Sequence, residues 1–136
     1  MDRRWFSLYG KYVDFEYSIA HEDSLVKVVT QGFFDYLKAY EMWKAIVATC
    51  NKSECFQVLG KTRQAAPIPM IDAYEHLDLI ESAGVTPDFQ IAWVSNVPPV
   101  LERLRLIETI LKDRSLFNVS IFESEADATR WLNSSE

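Results

Sequence analysis

A Gly-Lys-Thr triplet at residues 60–62 is the first stretch of this chain whose residue types could do chemistry. In a phosphate-binding P-loop, another glycine stands five residues before the triplet so that a flexible loop can wrap the phosphates. Here that position is Cys55, and the intervening Phe-Gln-Val-Leu favours a strand. Pro67 and Pro69 also separate the triplet from the next helical pattern. We therefore interpret the triplet as the end of a strand and predict no nucleotide site.

An acidic residue and a histidine are the next candidates, and they lie on PMIDAYEHLDLIESAG, which predicts one continuous amphipathic helix that ends at Gly84. Asp72 and His76 are four residues apart, a spacing at which a carboxylate can orient an imidazole. The sequence shows no serine or cysteine nucleophile beside them, so a solvated helix surface is the favoured interpretation. His21 is also expected at the surface. We predict no catalytic residue, and hence a protein that is not an enzyme.

The two cysteines, Cys50 and Cys55, are too few for a disulfide scaffold. Together with only two histidines they make a zinc site improbable. We expect both cysteines to pack as small apolar groups near a junction between a helix and a strand. No metal and no cofactor are predicted.

Polar residues at the ends of two predicted strands form a candidate site for a small ligand. Ligands of parallel sheets collect beyond the carboxyl ends of the strands, where helix N-termini point inward. Positive charge and hydrogen-bond donors would come from Lys61, Thr62, Arg63, Ser95 and Asn96. The prolines that open the next helix remove donors from its N-terminus. The prediction is therefore at most a modest anion or small polar-ligand site, and an empty polar rim is the favoured alternative.

The helix predicted after Gly32 is apolar over a wide arc. Its core stripe recurs at helical spacing through Phe33, Tyr36, Leu37, Tyr40, Trp43, Val47 and Cys50. A helix with further apolar residues beside such a stripe either lies deep or faces two partners. Core packing, the wall of a ligand cavity and a subunit interface remain open as explanations for Tyr36, Tyr40, Met42, Trp43 and Ile46.

Length and composition indicate one globular domain over residues 1–136. Of these residues, 49% are hydrophobic and 25% are charged, which is enough apolar material for a core without metals or disulfides. The formal net charge of -6 opposes nucleic-acid binding, which needs a dense basic face. No stretch has the apolar length of a membrane span or of a signal peptide. We therefore expect a cytoplasmic protein.

The predicted secondary structure begins with two extended segments, RWFSLYG and YVDFEYSI, which predict an antiparallel hairpin around residues 10–11. Four strand-helix units follow, and their strands are LVKVVTQG, ECFQVLG, FQIAWVSN and FNVSIFES. Strands separated by helices require a largely parallel sheet. The predicted fold class is α/β, with four consecutive βα units, a mostly parallel sheet and an antiparallel N-terminal hairpin. FQIAWVSN, the most continuously apolar strand, should be central and covered on both faces.

Three stretches in this order resemble the SpoIIAA-like family: VKVVTQGFFDYLKAYEMWKAI, IPMIDAYEHLDLI and VSIFESEADATRWL. That family has the STAS fold of sulfate transporters and anti-sigma factor antagonists, and is related in shape to CRAL-TRIO lipid-transfer domains. Anti-sigma antagonists of this superfamily carry an Asp-Ser-Ser-Gly-like segment whose phosphorylated serine abolishes partner binding. Here the equivalent stretch is Pro67-Ile68-Pro69-Met70, so the phosphoserine switch is not carried over.

The resemblance implies two alternative functions. The first is a cytoplasmic binding or regulatory module that acts through protein–protein contact, with a partner or as a homodimer, using its aromatic residues as anchors. The alternative is a carrier or sensor of a small apolar or lipid-like ligand in a CRAL-TRIO-like cavity walled by the apolar arc. We rank the carrier second because 136 residues are few for a lipid-sized cavity.

Overall fold

A five-stranded sheet forms the centre of the computed structural model, which describes residues 14–63, 66–113 and 118–134. The elements are β1 (Glu16–Glu22), β2 (Leu25–Gln31), α1 (Tyr36–Ser53), β3 (Gln57–Thr62), α2 (Met70–Tyr74), α3 (His76–Ala83), β4 (Gln90–Val94), α4 (Pro98–Asp113), β5 (Asn118–Phe122) and α5 (Glu125–Asn133). The strands lie side by side in chain order, with β1 antiparallel to β2 and the others parallel. The predicted α/β class, with four βα units behind an antiparallel strand, is confirmed.

The antiparallel hairpin of the described residues joins β1 to β2. Asp23 and Ser24 form its turn with φ values of 55° and 63°, the left-handed backbone that a tight two-residue hairpin requires. The Asp23 carboxylate accepts a hydrogen bond from Lys27 Nζ at 2.9 Å, which ties the turn to β2. The segment RWFSLYG and its predicted turn lie outside the described residues. His21 is exposed on β1, as predicted.

The two faces of the sheet carry separate apolar clusters. On one face α1, α3 and α4 pack against alternate strand residues such as Val28, Val58 and Ile91. On the other face α5 packs Ala128 and Leu132 against the residues that point the opposite way. Every residue of β4 is buried, so the prediction of a strand covered on both faces is confirmed.

Local sequence signals set several helix ends. Pro98 and Pro99 begin α4. Backbone N–H groups in the first turn of a helix have no hydrogen-bond partner within the helix, so the lack of an N–H in proline costs no bond there. Gly84 ends α3 with a φ of 105°. Ser124 caps α5, and its hydroxyl accepts from the backbone N–H of Asp127 at 3.1 Å, as the sequence pattern predicts.

The helical pattern that runs from Met70 to Gly84 is interrupted at Glu75, where φ is -90° and ψ is 2°. The apolar phase of α3 therefore does not extend back into α2. Met70, Ile71 and Tyr74 match the pattern in the sequence but are exposed in the structure. The prediction of one continuous helix with one apolar stripe is wrong at this point.

Both cysteines lie around the junction of α1 and β3, as predicted. Cys50 is buried in the last turns of α1, and burial raises the pKa of its thiol to about 12, so it packs as a neutral group. Cys55 follows the helix, and its Sγ lies 3.3 Å from the carbonyl oxygen of Ser24. Both thiols are free.

Candidate functional site

An apolar cavity of about 70 Å³ lies between the sheet and the helices α1, α3 and α4. The polar groups of its lining residues are two threonine hydroxyls, one imidazole and two indole N–H groups, which is the composition of a small-molecule pocket. The lining residues are Phe15, Thr30, Phe34, Ala39, Met42, Trp43, Thr62, Ile68, His76, Ile80, Ile91, Trp93, Leu104, Ile107, Leu111, Val119 and Ile121.

Trp93 forms the part of the cavity wall that comes from β4. Its Nε1–H donates to Thr62 Oγ1 at 2.6 Å, and Thr30 Oγ1 lies 3.3 Å from the same oxygen. The ring also packs against Trp43 of α1, with centroids 5.5 Å apart. Gly60 is required beneath the indole, because a Cβ atom at this position would overlap the ring. The Gly-Lys-Thr triplet is therefore the end of β3, as predicted, and its glycine makes room for Trp93.

His76 is buried on the cavity wall and only 8% exposed, so the predicted solvated position is wrong. Its Nδ1 lies 2.9 Å from the backbone carbonyl oxygen of Asp72, and its ring contacts Phe34 with centroids 5.6 Å apart. Burial lowers the pKa of His76 and favours the neutral ring. The Asp72–His76 spacing does orient the imidazole, but through the carbonyl of Asp72 and not through its carboxylate.

A signal in the sequence could have located His76 in the core. Leu79 and Ile80 follow it by three and four residues, and both are buried on the same side of α3. His76 therefore continues an apolar stripe, whereas its polar type and the acidic residues around it indicate a surface position.

The residues of the predicted apolar arc fall into three environments. Met42 and Trp43 line the cavity. Ile46 is fully buried in the same cluster, and Tyr36 and Tyr40 are partly buried against it. Phe33 of the predicted stripe precedes α1, Leu37 lies in its first turn, and both are exposed.

The five predicted polar residues are not brought into one cleft. Thr62 lines the cavity, while Lys61 points to the opposite face and lies 3.3 Å from Glu125 of α5. Lys61 and Thr62 point to opposite faces because side chains alternate along a strand. Arg63 lines a different surface groove beside β1. Ser95 is buried with its Oγ accepting from the Val97 N–H, and Asn96 is exposed. Binding of an anion by any of these residues stays a prediction.

An exposed apolar patch lies on the first turn of α1 and on α2, and we call it the rim patch. Its members are Leu37 (68% exposed), Met70 (48%), Ile71 (68%) and Tyr74 (61%). Burial and the charge of the nearby Asp35 carboxylate, which precedes α1, raise the pKa of Asp72 in α2. Phe34 and Ile68, which flank these helices in sequence, line the cavity. Arg103 of α4 donates a hydrogen bond to the Ile68 carbonyl. The rim patch therefore borders a segment of the cavity wall that is held to α4 by this bond.

No family model and no curated protein matches the sequence. Among solved structures, the NMR structure of the protein TM1081 matches with a TM-score of 0.56 and 18% sequence identity. The match covers 91% of this chain and 92% of that chain. A likeness at this identity reports on the fold alone, and it agrees with the α/β architecture.

Within residues 14–63, 66–113 and 118–134, no helix is long and apolar enough to cross a bilayer. Over the same ranges, no three His, Cys, Asp or Glu side chains are grouped in a way that could hold a metal ion.

Proposed function

We propose that this protein binds a small apolar molecule in the cavity beneath α1, α3 and α4 and acts as its carrier or sensor, without chemical conversion. The observation that carries the proposal is the cavity wall, which is mostly apolar and has few polar groups. The threonine hydroxyl at residue 62 accepts from an indole, and the imidazole is held by a carbonyl. Both are thereby positioned as hydrogen-bond partners for a ligand.

The cavity volume restricts the class of ligand. A cavity of about 70 Å³ is smaller than the roughly 150 Å³ that accepts benzene inside a well-packed protein. Met42 lines the wall, and methionine side chains adapt readily to the shape of a neighbour. A single ring or a short branched chain is therefore the largest ligand to expect, and the cavity must widen to hold it, whereas a full-length lipid does not fit. The cavity volume therefore favours a small ligand over a lipid for the carrier, the second of the two functions expected from the sequence.

A cavity-filling substitution tests the proposal, with toluene as the probe. Ala39 lines the cavity from α1, and Ala48 lies on the same helix with its side chain exposed. Toluene added to the wild type should shift the amide signals of the cavity-lining residues in ¹H–¹⁵N NMR spectra. Ala39→Leu should abolish these shifts, and Ala48→Leu should preserve them. Toluene shifts that are missing in the wild type, or unchanged in Ala39→Leu, would contradict the proposal.

The rim patch supports a second candidate function, binding to another protein. Large apolar side chains exposed on a folded domain are candidates for an interaction surface, and aromatic side chains such as Tyr74 are frequent anchors. Asp35, Asp72 and Glu75 border the patch, so a partner with basic side chains would complement it. With this second candidate function we also propose two expectations from the sequence, namely that the chain is a SpoIIAA-like protein and that it is cytoplasmic.

A further inference from the structure

The hydrogen bond from His76 determines which of its ring nitrogens carries the proton. A carbonyl oxygen can only accept, so Nδ1 must donate to the Asp72 carbonyl across their 2.9 Å separation. Burial favours the neutral ring, and a neutral imidazole carries a proton on only one of its two nitrogens. Nε2 is therefore left with a free lone pair and acts as an acceptor.

This acceptor is unpaired in the part of the chain that the structure describes. The Asp72 carbonyl is the one hydrogen-bond partner of the imidazole there. Among the described residues, every side-chain nitrogen or oxygen that is completely enclosed has a hydrogen-bond partner. Nε2 has no partner, so it is not completely enclosed and must border open space. His76 is buried and lines the cavity.

We infer that the ligand is a compact apolar molecule with a single hydrogen-bond donor, such as a phenolic or alcoholic hydroxyl, which it donates to Nε2 of His76. This rests on the proposed function. A buried acceptor without a partner is unfavourable, and a donor on the ligand relieves that cost at the moment of binding. A charged ligand would lose its hydration against an apolar wall, so the neutral donor is selected.

The test compares phenol and toluene, which have similar shapes and differ in the donor. The ratio of the Kd of phenol to the Kd of toluene is measured in the wild type and in His76→Phe, which removes the acceptor. The ratio should rise roughly tenfold in His76→Phe, as expected for the loss of one buried hydrogen bond. His21→Phe makes the same change at an exposed position and should leave the ratio unchanged.

A measurement on the unaltered cavity covers the case in which His76→Phe does not fold. In His21→Phe, the remaining imidazole is that of His76. Its Nε2 should show the ¹⁵N chemical shift of an unprotonated nitrogen, and that shift should move when phenol is added but not when toluene is added. A protonated Nε2, or a ratio of Kd values that is equal in His76→Phe and the wild type, would overturn the inference. If toluene still binds, the proposed function survives that failure; if neither probe binds the wild type, both fail.

Discussion

Glycine at position 60 leaves room for the indole ring of Trp93, and its two neighbours in the triplet have separate tasks. The Lys61 ammonium lies 3.3 Å from the Glu125 carboxylate on the other face of the sheet. Thr62 accepts the indole N–H on the cavity face. Three residues that together look like a phosphate-binding signal thus serve packing, an exposed ion pair and a partly buried hydrogen bond.

Replacing Gly60 with Ala should lower the free energy of unfolding by about 1–3 kcal/mol, the usual range for overpacking a core. The added Cβ must displace the Trp93 ring and weaken its hydrogen bond to Thr62. Urea denaturation followed by tryptophan fluorescence measures the loss. Lys61→Ala is the neighbouring control, and removal of its exposed pair with Glu125 should cost no more than about 1 kcal/mol. Equal losses in the two variants would contradict the packing role of Gly60.

The buried imidazole of His76 should make stability depend on pH. Burial lowers its pKa below the value of 6.5 expected in the unfolded chain, so the unfolded state binds the proton more readily. The stability contributed by the neutral ring is therefore complete above pH 6.5 and is lost as the pH falls through the folded-state pKa. Unfolding free energies from about pH 7.5 to 5 should fall more steeply in the wild type than in His76→Phe. Parallel curves would contradict this.

At the scale of elements, α5 is the helix that covers the second face of the sheet. Ala128 and Leu132 are fully buried against β3 and β4. The end of the helix is tied down as well, since Gln57 Nε2 donates to the Leu132 carbonyl at 2.7 Å. Its start depends on Ser124, whose hydroxyl accepts from the N–H of Asp127.

Ser124→Ala should therefore cost about 1 kcal/mol of unfolding free energy, the typical value for a lost N-cap. Thermal or urea denaturation measures it. Ser82 lies exposed within α3, and Ser82→Ala is the matched control, with no loss expected because alanine favours a helix interior. The capping role is contradicted if Ser124→Ala is as stable as Ser82→Ala.

At the scale of the whole molecule, the homodimer expected from the sequence stays a prediction. If two copies meet through the rim patch, their bordering carboxylates face each other and repel. Added salt should then strengthen self-association, and Ile71→Glu should prevent it. Light scattering at low and high salt measures the mass, with Ala48→Glu on the exposed side of α1 as the control. A strict monomer under both conditions would contradict the dimer.

Periodicity and end signals in the sequence were sufficient to predict the α/β class, the parallel order of the four βα units and the caps at Gly84 and Ser124. These features are local, because each depends on residues within one or two turns of the chain or on the alternation of one strand. The opposite directions of Lys61 and Thr62 also follow from strand alternation. The Asp23–Ser24 turn and the break at Glu75 carry no comparably strong signal.

Only the tertiary structure decided that a cavity exists and that His76 lies on its wall. The cavity is the space left unfilled by side chains from Phe15 to Ile121, brought together from four strands and three helices. Whether these side chains fill the space depends on how they pack against each other in the folded protein, and a local sequence pattern does not predict that packing. His76 is polar by residue type and buried by position, and its burial became evident only when α3 was packed against Phe34 and the sheet.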